Sequence, residues 1–360
     1  MYELPKERLS TTDQAGRRIH LYPASVKGYF RDRKRYVHGF LLIVFLTLPW
    51  IHVSGRQLLL LDVAHREFFF FGLHFRAHDA PLILFLLLGF TFGIGLVTAI
   101  WGRVWCGWAC PQTVFIEFLF RRIERLVEGS HRAQRALDER PLDSEKMMKK
   151  GLKWFLFVVV SLGISHSFLG YFVGTRELVR MVSSSPLENW TSFLMILVTT
   201  GIIAFDFGWF REQFCTIMCP YGRFQSVMMD NHSTIVAYDL KRGEPRRGTA
   251  PSPSAQGDCV NCLRCVQVCP TGIDIRRGLQ MECIACTACI DACDEVMTKV
   301  DKPLGLIRYT TERELAGKKT KNVREYSAAN PSRAWAQARE RAPTPARGRQ
   351  GLPRPPKGCA

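Results

Sequence analysis

Twelve of the thirteen cysteines in this 360-residue chain fall into four clusters, and two of those clusters carry the spacing of iron–sulfur cubane ligands. Cys259, Cys262, Cys265 and Cys269 read C-x2-C-x2-C-x3-C before Pro270, and Cys283, Cys286, Cys289 and Cys293 repeat the spacing. In two-cluster arrangements of this kind the first three cysteines of a run hold one cubane and the fourth crosses to the other. The expected ligand sets are Cys259, Cys262, Cys265 and Cys293 for one [4Fe–4S] cluster, and Cys283, Cys286, Cys289 and Cys269 for the second. Zinc motifs pair two CxxC units, so eight cysteines in two full runs fit zinc or a disulfide framework poorly. The chemistry this pattern predicts is one-electron transfer.

The remaining clustered cysteines form two matched pairs. Cys106 and Cys110 sit in Trp105-Cys-Gly-Trp-Ala-Cys-Pro111, and Cys215 and Cys219 in Cys215-Thr-Ile-Met-Cys-Pro220. Each C-x3-C-P follows an apolar run ending in aromatic residues and precedes an amphipathic helix, a weak internal repeat. Residues four apart on a helical turn share a side. Proline suits the first position of a new helix, which places Cys110 and Cys219 near N-caps, where the helix dipole lowers a thiol pKa. If the two apolar runs are neighbours, the pairs converge into a four-thiolate site. Soft thiolates take Cu(I), zinc or iron–sulfur centres, and the sequence leaves the metal open. The alternative is four buried cysteines acting as small apolar residues, which the matched prolines and positions argue against.

These sites must be positioned by a membrane protein. Four nearly uncharged runs approach the roughly 20 apolar residues needed to cross a bilayer: Val37–Val53, Pro81–Trp101, Trp154–Gly174 and Trp190–Phe210. The first is the shortest and contains Pro49. Phe68–Phe75 is too short to span and is expected at the interface. No secretory signal precedes the first run. The predicted fold is an α-helical polytopic membrane protein with about four transmembrane helices, a small α+β domain of the two-[4Fe–4S] ferredoxin type, and a disordered tail.

Charge sets the expected orientation. The stretch before Val37 holds nine Lys or Arg, and the segment between the second and third runs includes Arg103, Arg121, Arg122, Arg125, Arg132 and Lys149. The other two loops carry few: Arg56, Arg66 and Arg76 in one, Arg176 and Arg180 in the other. The positive-inside rule places both termini and the cluster domain in the cytoplasm; the expected location is a bacterial inner membrane. Membrane lipid accounts for the net charge of +17, since basic loops at a membrane surface bind anionic headgroups. No nucleic-acid recognition motif is present. Disulfides are rare in the cytoplasm, so the cysteines are expected to be ligands or reactive groups.

Five segments follow: a basic N-terminus (1–36), a transmembrane region with both C-x3-C-P motifs (37–240), a Gly/Pro/Ser/Ala linker (241–256), the ferredoxin domain (257–310) and a basic, Pro-rich tail (311–360) expected to be disordered, with Cys359 in it. Weaker candidates are Asp206 near the end of the fourth run, expected to be solvated or paired with Arg211, and His52 and His166 as poorly matched haem ligands. His65, His74 and His78 are further candidates for a metal but are expected to be ordinary surface histidines.

Several runs carry a specific resemblance over roughly residues 20–310. They are Trp101-Gly-Arg-Val-Trp-Cys-Gly-Trp-Ala-Cys-Pro-Gln-Thr-Val, Gly208-Trp-Phe-Arg-Glu-Gln-Phe-Cys, Cys219-Pro-Tyr-Gly-Arg-Phe-Gln-Ser, Tyr238-Asp-Leu-Lys-Arg-Gly-Glu-Pro-Arg, Thr271-Gly-Ile-Asp-Ile-Arg and Cys283-Ile-Ala-Cys-Thr-Ala-Cys-Ile-Asp-Ala-Cys-Asp. The sequence resembles the cytochrome c oxidase accessory family called CcoG, FixG or RdxA. The resemblance implies a membrane-bound reductase converting Cu(II) to Cu(I) for the copper centre of cbb-type cytochrome c oxidase. Cys106, Cys110, Cys215 and Cys219 would then handle copper, as bound ion or substrate, and the eight ferredoxin cysteines would relay electrons. It also implies partners: the assembly factors of that oxidase and a cytoplasmic electron donor whose identity is open. A homo-oligomer is compatible with the sequence. Members of the family usually continue through another transmembrane helix into a periplasmic immunoglobulin-like domain, whereas this chain ends in the basic tail, as a truncation or altered reading frame would produce. Two rival functions share the plan: a quinol-dehydrogenase-type electron-transfer subunit, and a non-enzymatic redox-sensing membrane protein.

Overall fold

The computed structural model describes residues 18–318 apart from 54, 64, 250, 251, 253 and 254. The expected tail with Cys359, and the first part of the basic N-terminus, lie outside the described residues. The first long helix, α1 (Tyr29–Thr47), begins in a charged half and ends in an apolar one, followed by a single 3-10 turn at Leu48–Trp50. Two short strands, β1 (His52–Val53) and β2 (Arg56–Gln57), pair antiparallel. A three-stranded antiparallel sheet follows: β3 (Leu59–Asp62), β4 (Glu67–Phe70) and β5 (Leu73–Phe75). The run Phe68–Phe75, expected as an interfacial segment, is therefore mostly a hairpin whose register pairs Phe68 with Phe75 and Phe69 with His74.

The helix α2 (Ala80–Trp101) has 22 residues, about 33 Å at 1.5 Å per residue, which matches a bilayer core of about 30 Å. Its side chains are exposed over most of its surface, as a span facing lipid requires. Next come the short α3 (Val104–Trp108) and α4 (Pro111–Phe115), with α5 (Arg121–Val127) joined to α4 through a π-helical turn at Ile116–Phe120. After α6 (His131–Glu139) comes α7 (Ser144–Val173), whose 30 residues exceed the bilayer; its first turns carry Glu145, Lys146, Lys149, Lys150 and Lys153. The helix α8 (Thr175–Ser183) leads to α9 (Trp190–Phe205), extended by a π-helical turn to Phe210, then a second such turn at Phe214–Met218 and α10 (Pro220–Met228).

Among the described residues three segments are long and apolar enough to cross a membrane: Pro81–Trp101, Ser144–Val173 and Trp190–Phe210. The fourth expected span, Val37–Val53, is not among them. Its residues are divided between the end of α1, the turn at Pro49 and β1, so the uncharged helical part stops at Thr47. Inside the bundle, α4, the π turn and α5 push an apolar face between α7 and α9. Phe120 is fully buried, with ring centroids 4.9 Å from Phe157 and 5.3 Å from Phe207.

The ferredoxin module is closed by two strands. The strand β6 (Ile235–Tyr238) precedes α11 (Leu240–Gly243), α12 (Arg264–Gln267) and α13 (Ala288–Lys299), and β7 (Ile307–Thr310) follows them before α14 (Glu312–Leu315). The two strands pair antiparallel, Ile235 with Thr310 and Tyr238 with Ile307. This corrects the expected boundary. The segment 241–256 is not a spacer between membrane region and module, because β6 before it already pairs with β7 beyond it. Arg242 donates to the Leu304 carbonyl at 2.8 Å and pairs with Asp258, and the Gly257 and Arg247 amides donate to the Pro245 and Cys259 carbonyls. The described residues of this segment are tied to the module by these contacts.

The helix α1 joins the two parts. Phe30 packs in the module core and Leu42 in the bundle core. The Asp291 carboxylate on α13 accepts the backbone N–H of Phe30 at 3.2 Å and of Arg31 at 2.7 Å, satisfying two of the donors that a helix start leaves free. The aromatic wedge makes the fold testable. Phe120→Ala empties a fully enclosed site and should cost about 3–5 kcal/mol, read as a fall in the thermal midpoint of the detergent-purified protein.

Candidate metal centres

Each CxxCxxC loop of the module repeats one backbone pattern. Asn261 and Leu263 flank Cys262 with φ of 56° each, and Ala285 and Thr287 flank Cys286 with φ of 51° and 65°. These are left-handed conformations in non-glycine residues, each costing about 1–2 kcal/mol. Such alternation turns successive N–H groups inward to form a nest, the concavity found at phosphate and iron–sulfur sites. Two small voids lie beside these loops. One is walled by Cys259, Cys262, Cys265 and Cys293, the other by Cys269, Cys283, Cys286 and Cys289, with Cys265 lining both. The fourth cysteine of each run has thus crossed to the other void, the arrangement expected from the spacing. Donor chemistry, nests and voids all fit a pair of [4Fe–4S] groups, and these eight cysteines are the residues that would hold them. Burial raises the Cys265 and Cys283 thiols to about 12.

The two C-x3-C-P motifs are structural repeats as well. Each span ends at a residue with positive φ, Gly102 at 61° and Arg211 at 52°. A short helical turn then carries Cys106 or Cys215, and Cys110 and Cys219 are the N-cap residues before Pro111 and Pro220. The placement at helix N-caps is as expected; the acidity is not. Burial is the largest influence on Cys106, Cys110 and Cys215 and raises all three, Cys106 to about 12, although the Gln112 and Thr113 amides act the other way on Cys110. The four thiols lie within electrostatic reach of one another, Cys215 sensing the other three, without being drawn onto a single point. The Cys106 thiol donates to Gln225 Oε1 at 3.3 Å, and Thr113 Oγ1 donates to the Cys106 carbonyl at 2.7 Å.

This thiol site is pressed against the second cluster loop. Gly107 lies so close that a Cβ there would stand 2.6 Å from the Ala285 carbonyl oxygen and 2.7 Å from that of Ile284. Arg103 spans both C-x3-C-P motifs and the module: it donates to the Gly222 carbonyl at 2.8 Å, to the Cys283 carbonyl at 3.3 Å, and to Met281. Trp108 Nε1 donates to the Tyr309 hydroxyl at 3.2 Å.

Sequence reasoning missed the ionic support. Glu117, Glu124 and Glu128, spaced to share one helix face, are buried on the helix that follows Pro111. Glu117 pairs with Lys34 at 3.1 Å and Arg31 at 3.2 Å; burial pushes its carboxyl up, but Lys34, Arg31 and Arg121 outweigh it and hold it at about 2. Glu124 pairs with Arg211, one contact at 3.1 Å, and Glu128 with Lys153 at 2.9 Å. The regular spacing of the carboxylates was the available signal. Asp206 does not receive the Arg211 guanidinium, as expected, but accepts from Gln112 Nε2 at 3.0 Å. His166 Nδ1 is 2.8 Å from the Leu162 carbonyl and His52 Nδ1 is 2.9 Å from that of Trp50, so each ring is engaged locally. His65 pairs with Asp62, His74 with Glu67 and His78 with Asp79. Among the described residues no three His, Cys, Asp or Glu side chains are arranged to hold one ion.

Comparison with known proteins bears on both sites. A family model described as a 4Fe-4S dicluster domain matches residues 210–312, and one described as a 4Fe-4S binding domain matches residues 82–128. Protein RdxA of Cereibacter sphaeroides is 38% identical over 300 residues, covering 81% of this chain and 62% of that protein. Protein RdxB of the same organism is 40% identical over 308 residues, 83% of this chain and 64% of RdxB. The chain matches the RdxA/FixG family. Nitrogen fixation protein FixG of Rhizobium meliloti agrees, at 37% identity over 306 residues, 82% of this chain and 58% of FixG. The chain spans about three-fifths of the length of these RdxA/FixG relatives. No solved structure matches it at a significant level. Three apolar spans and two matched iron–sulfur models support a membrane iron–sulfur electron-transfer protein.

Two substitutions test the supports. Gly107→Ala forces the Cys283–Cys286 loop away and should cost about 1–3 kcal/mol, with a changed iron EPR signature at unchanged iron content. Arg211→Gln removes the main partner of the buried Glu124 and leaves it only the longer contact to Lys153 at 3.9 Å, at up to about 3–5 kcal/mol; adding Glu124→Gln should recover part of it in the same thermal melt.

Proposed function

We propose that this chain is a membrane-bound cupric reductase that converts Cu(II) to Cu(I), the copper being its substrate, in support of cbb-type cytochrome c oxidase assembly. One observation carries the reading: two half-buried pairs of thiols lie within electrostatic reach of one another, and the turn carrying the first pair packs at Gly107 against the Cys283–Cys286 loop of the ferredoxin module. Clusters bound in the two voids would supply electrons one at a time, the stoichiometry that Cu(II) reduction needs. The chain's own residues do the rest. Cys106, Cys110, Cys215 and Cys219 offer soft ligands that favour Cu(I) over Cu(II). Arg103 ties the two thiol-bearing segments to the loop through the Gly222 and Cys283 carbonyls. Thiols that share a neighbourhood without meeting at one point suit an ion in transit better than a resident one. The basic N-terminus and the basic segment before α7 support an orientation with the module in the cytoplasm.

A second reading has its own observation. The 4Fe-4S binding model covers Cys106 and Cys110, which favours a further iron–sulfur cluster on the four thiols in place of copper.

Anaerobic Cu(II) reduction in detergent, with iron analysis, separates the two. Wild type should form Cu(I), and a variant with Cys106, Cys110, Cys215 and Cys219 all changed to Ser should be slower by at least about tenfold, or about 1.4 kcal/mol in barrier, while both keep about eight irons per chain. Equal rates would remove the thiols from the copper site. Inert protein with cycling clusters would sink copper as acceptor and favour the quinol-linked alternative. About twelve irons in wild type, falling to eight in the variant, would establish the further cluster.

A further inference from the structure

A cavity of about 530 Å³ opens between the charged half of α1 and the helix following Pro111, within the size range of small-molecule sites. Its wall carries six cations, Lys27, Arg31, Lys34, Arg35, Arg122 and Arg125, against the carboxylates of Asp32 and Glu117. Glu117 is already committed to Lys34 and Arg31. Among the described residues Lys27, Arg35, Arg122 and Arg125 have no carboxylate partner; Arg122 lies over the Phe118 ring at 3.7 Å and Arg125 donates to the Arg121 carbonyl. The positive charge here is in excess of what the protein itself neutralises.

A second observation points inward. His38 lines the same cavity, is 2% exposed, and its Nε2 has no hydrogen-bond partner. A buried polar nitrogen left unpaired is unfavourable, and Lys34, one turn before it, is 3% exposed. The guanidinium groups are also in tension. Burial first, and then Arg35 and Arg31, lower the pKa of Arg122; burial, Arg31, Arg121 and Arg122 do the same to Arg125. An occupant with several negative charges and acceptor oxygens would relieve all of these at once.

We propose that this cavity binds a phosphate-bearing anion, its oxygens taken by Arg35, Arg122, Arg125 and Lys27 and by the buried pair Lys34 and His38. Phosphate suits the site better than a carboxylate because guanidinium forks bind its oxygens in pairs and several converge here. Two sources share this chemistry. One is the headgroup of an anionic phospholipid, for which the exposed Tyr36, Phe40 and Ile43 continue an apolar track along α1 beside the cavity. The other is a soluble compound carrying one or two phosphates.

Inorganic pyrophosphate is the probe, titrated into cluster-loaded protein in lipid-free detergent at constant ionic strength, with thermal stability as readout. The same titration is repeated in nanodiscs of phosphatidylcholine alone and of phosphatidylcholine with phosphatidylglycerol. Wild type should be stabilised by pyrophosphate in detergent, and the double variant Arg35→Gln/Arg122→Gln should lose roughly tenfold or more in apparent affinity at unchanged iron content. Lys27→Gln, at an exposed position, provides a second variant should the double one fold poorly. A response abolished in phosphatidylglycerol nanodiscs but kept in phosphatidylcholine identifies the lipid headgroup as occupant; a response kept in both identifies a soluble phosphate compound. The absence of any pyrophosphate or phosphatidylglycerol effect on wild type, or equal effects on wild type and both variants, overturns the proposal.

Discussion

At Gly107 the protein depends on having no side chain. The carbonyls of Ile284 and Ala285 occupy the space a Cβ would need, so two backbones meet where any other residue would hold them apart. This close approach joins the membrane half to the module half at the one place where both carry cysteines. Much of the surrounding structure keeps it in place. Arg103 grips carbonyls on either side of the contact, Trp108 reaches Tyr309, and Asp291 fixes the start of α1 against the module.

Holding the thiol turns in place has an electrostatic cost, offset within the fold. Arg211 occupies a left-handed conformation that glycine takes at the equivalent position of the other motif, and its guanidinium is almost wholly buried. An isolated buried charge of this kind is strongly unfavourable. Glu124 offsets it, and the same helix face presents Glu117 and Glu128 to Lys34 and Lys153. One row of carboxylates thereby ties α1, α7 and the second thiol turn to the helix that begins at Pro111.

Local chemistry was legible in the sequence. The crossing of Cys269 and Cys293 follows from spacing within single loops, and the N-cap positions of Cys110 and Cys219 follow from the prolines after them. Properties that depend on distant chain were not legible. The Cys110 thiol is less acidic than its helix terminus alone suggests because burial, which spacing does not report, outweighs the dipole. Val37–Val53 reads as an apolar run, but hydropathy does not register that a turn at Pro49 and a strand end the helix. Segment 241–256 has a spacer's composition, yet Arg242 and Gly257 bind parts of the module far along the chain. The partners of Glu124 and Asp206 were hidden for the same reason: Arg211 lies next to one in space and closer to the other in sequence.

The pairing of β6 with β7 has a kinetic meaning. A cluster domain hung from a flexible arm would have to swing between its donor and its acceptor, and its transit would slow as the medium thickens. Here the strand entering the module is hydrogen-bonded to the strand leaving it, so the module is buckled shut at its base. With Gly107 packed on the Cys283–Cys286 loop and Arg103 bonded across the contact, the proposed electron path would cross a gap set by the fold, with no tether to wait for.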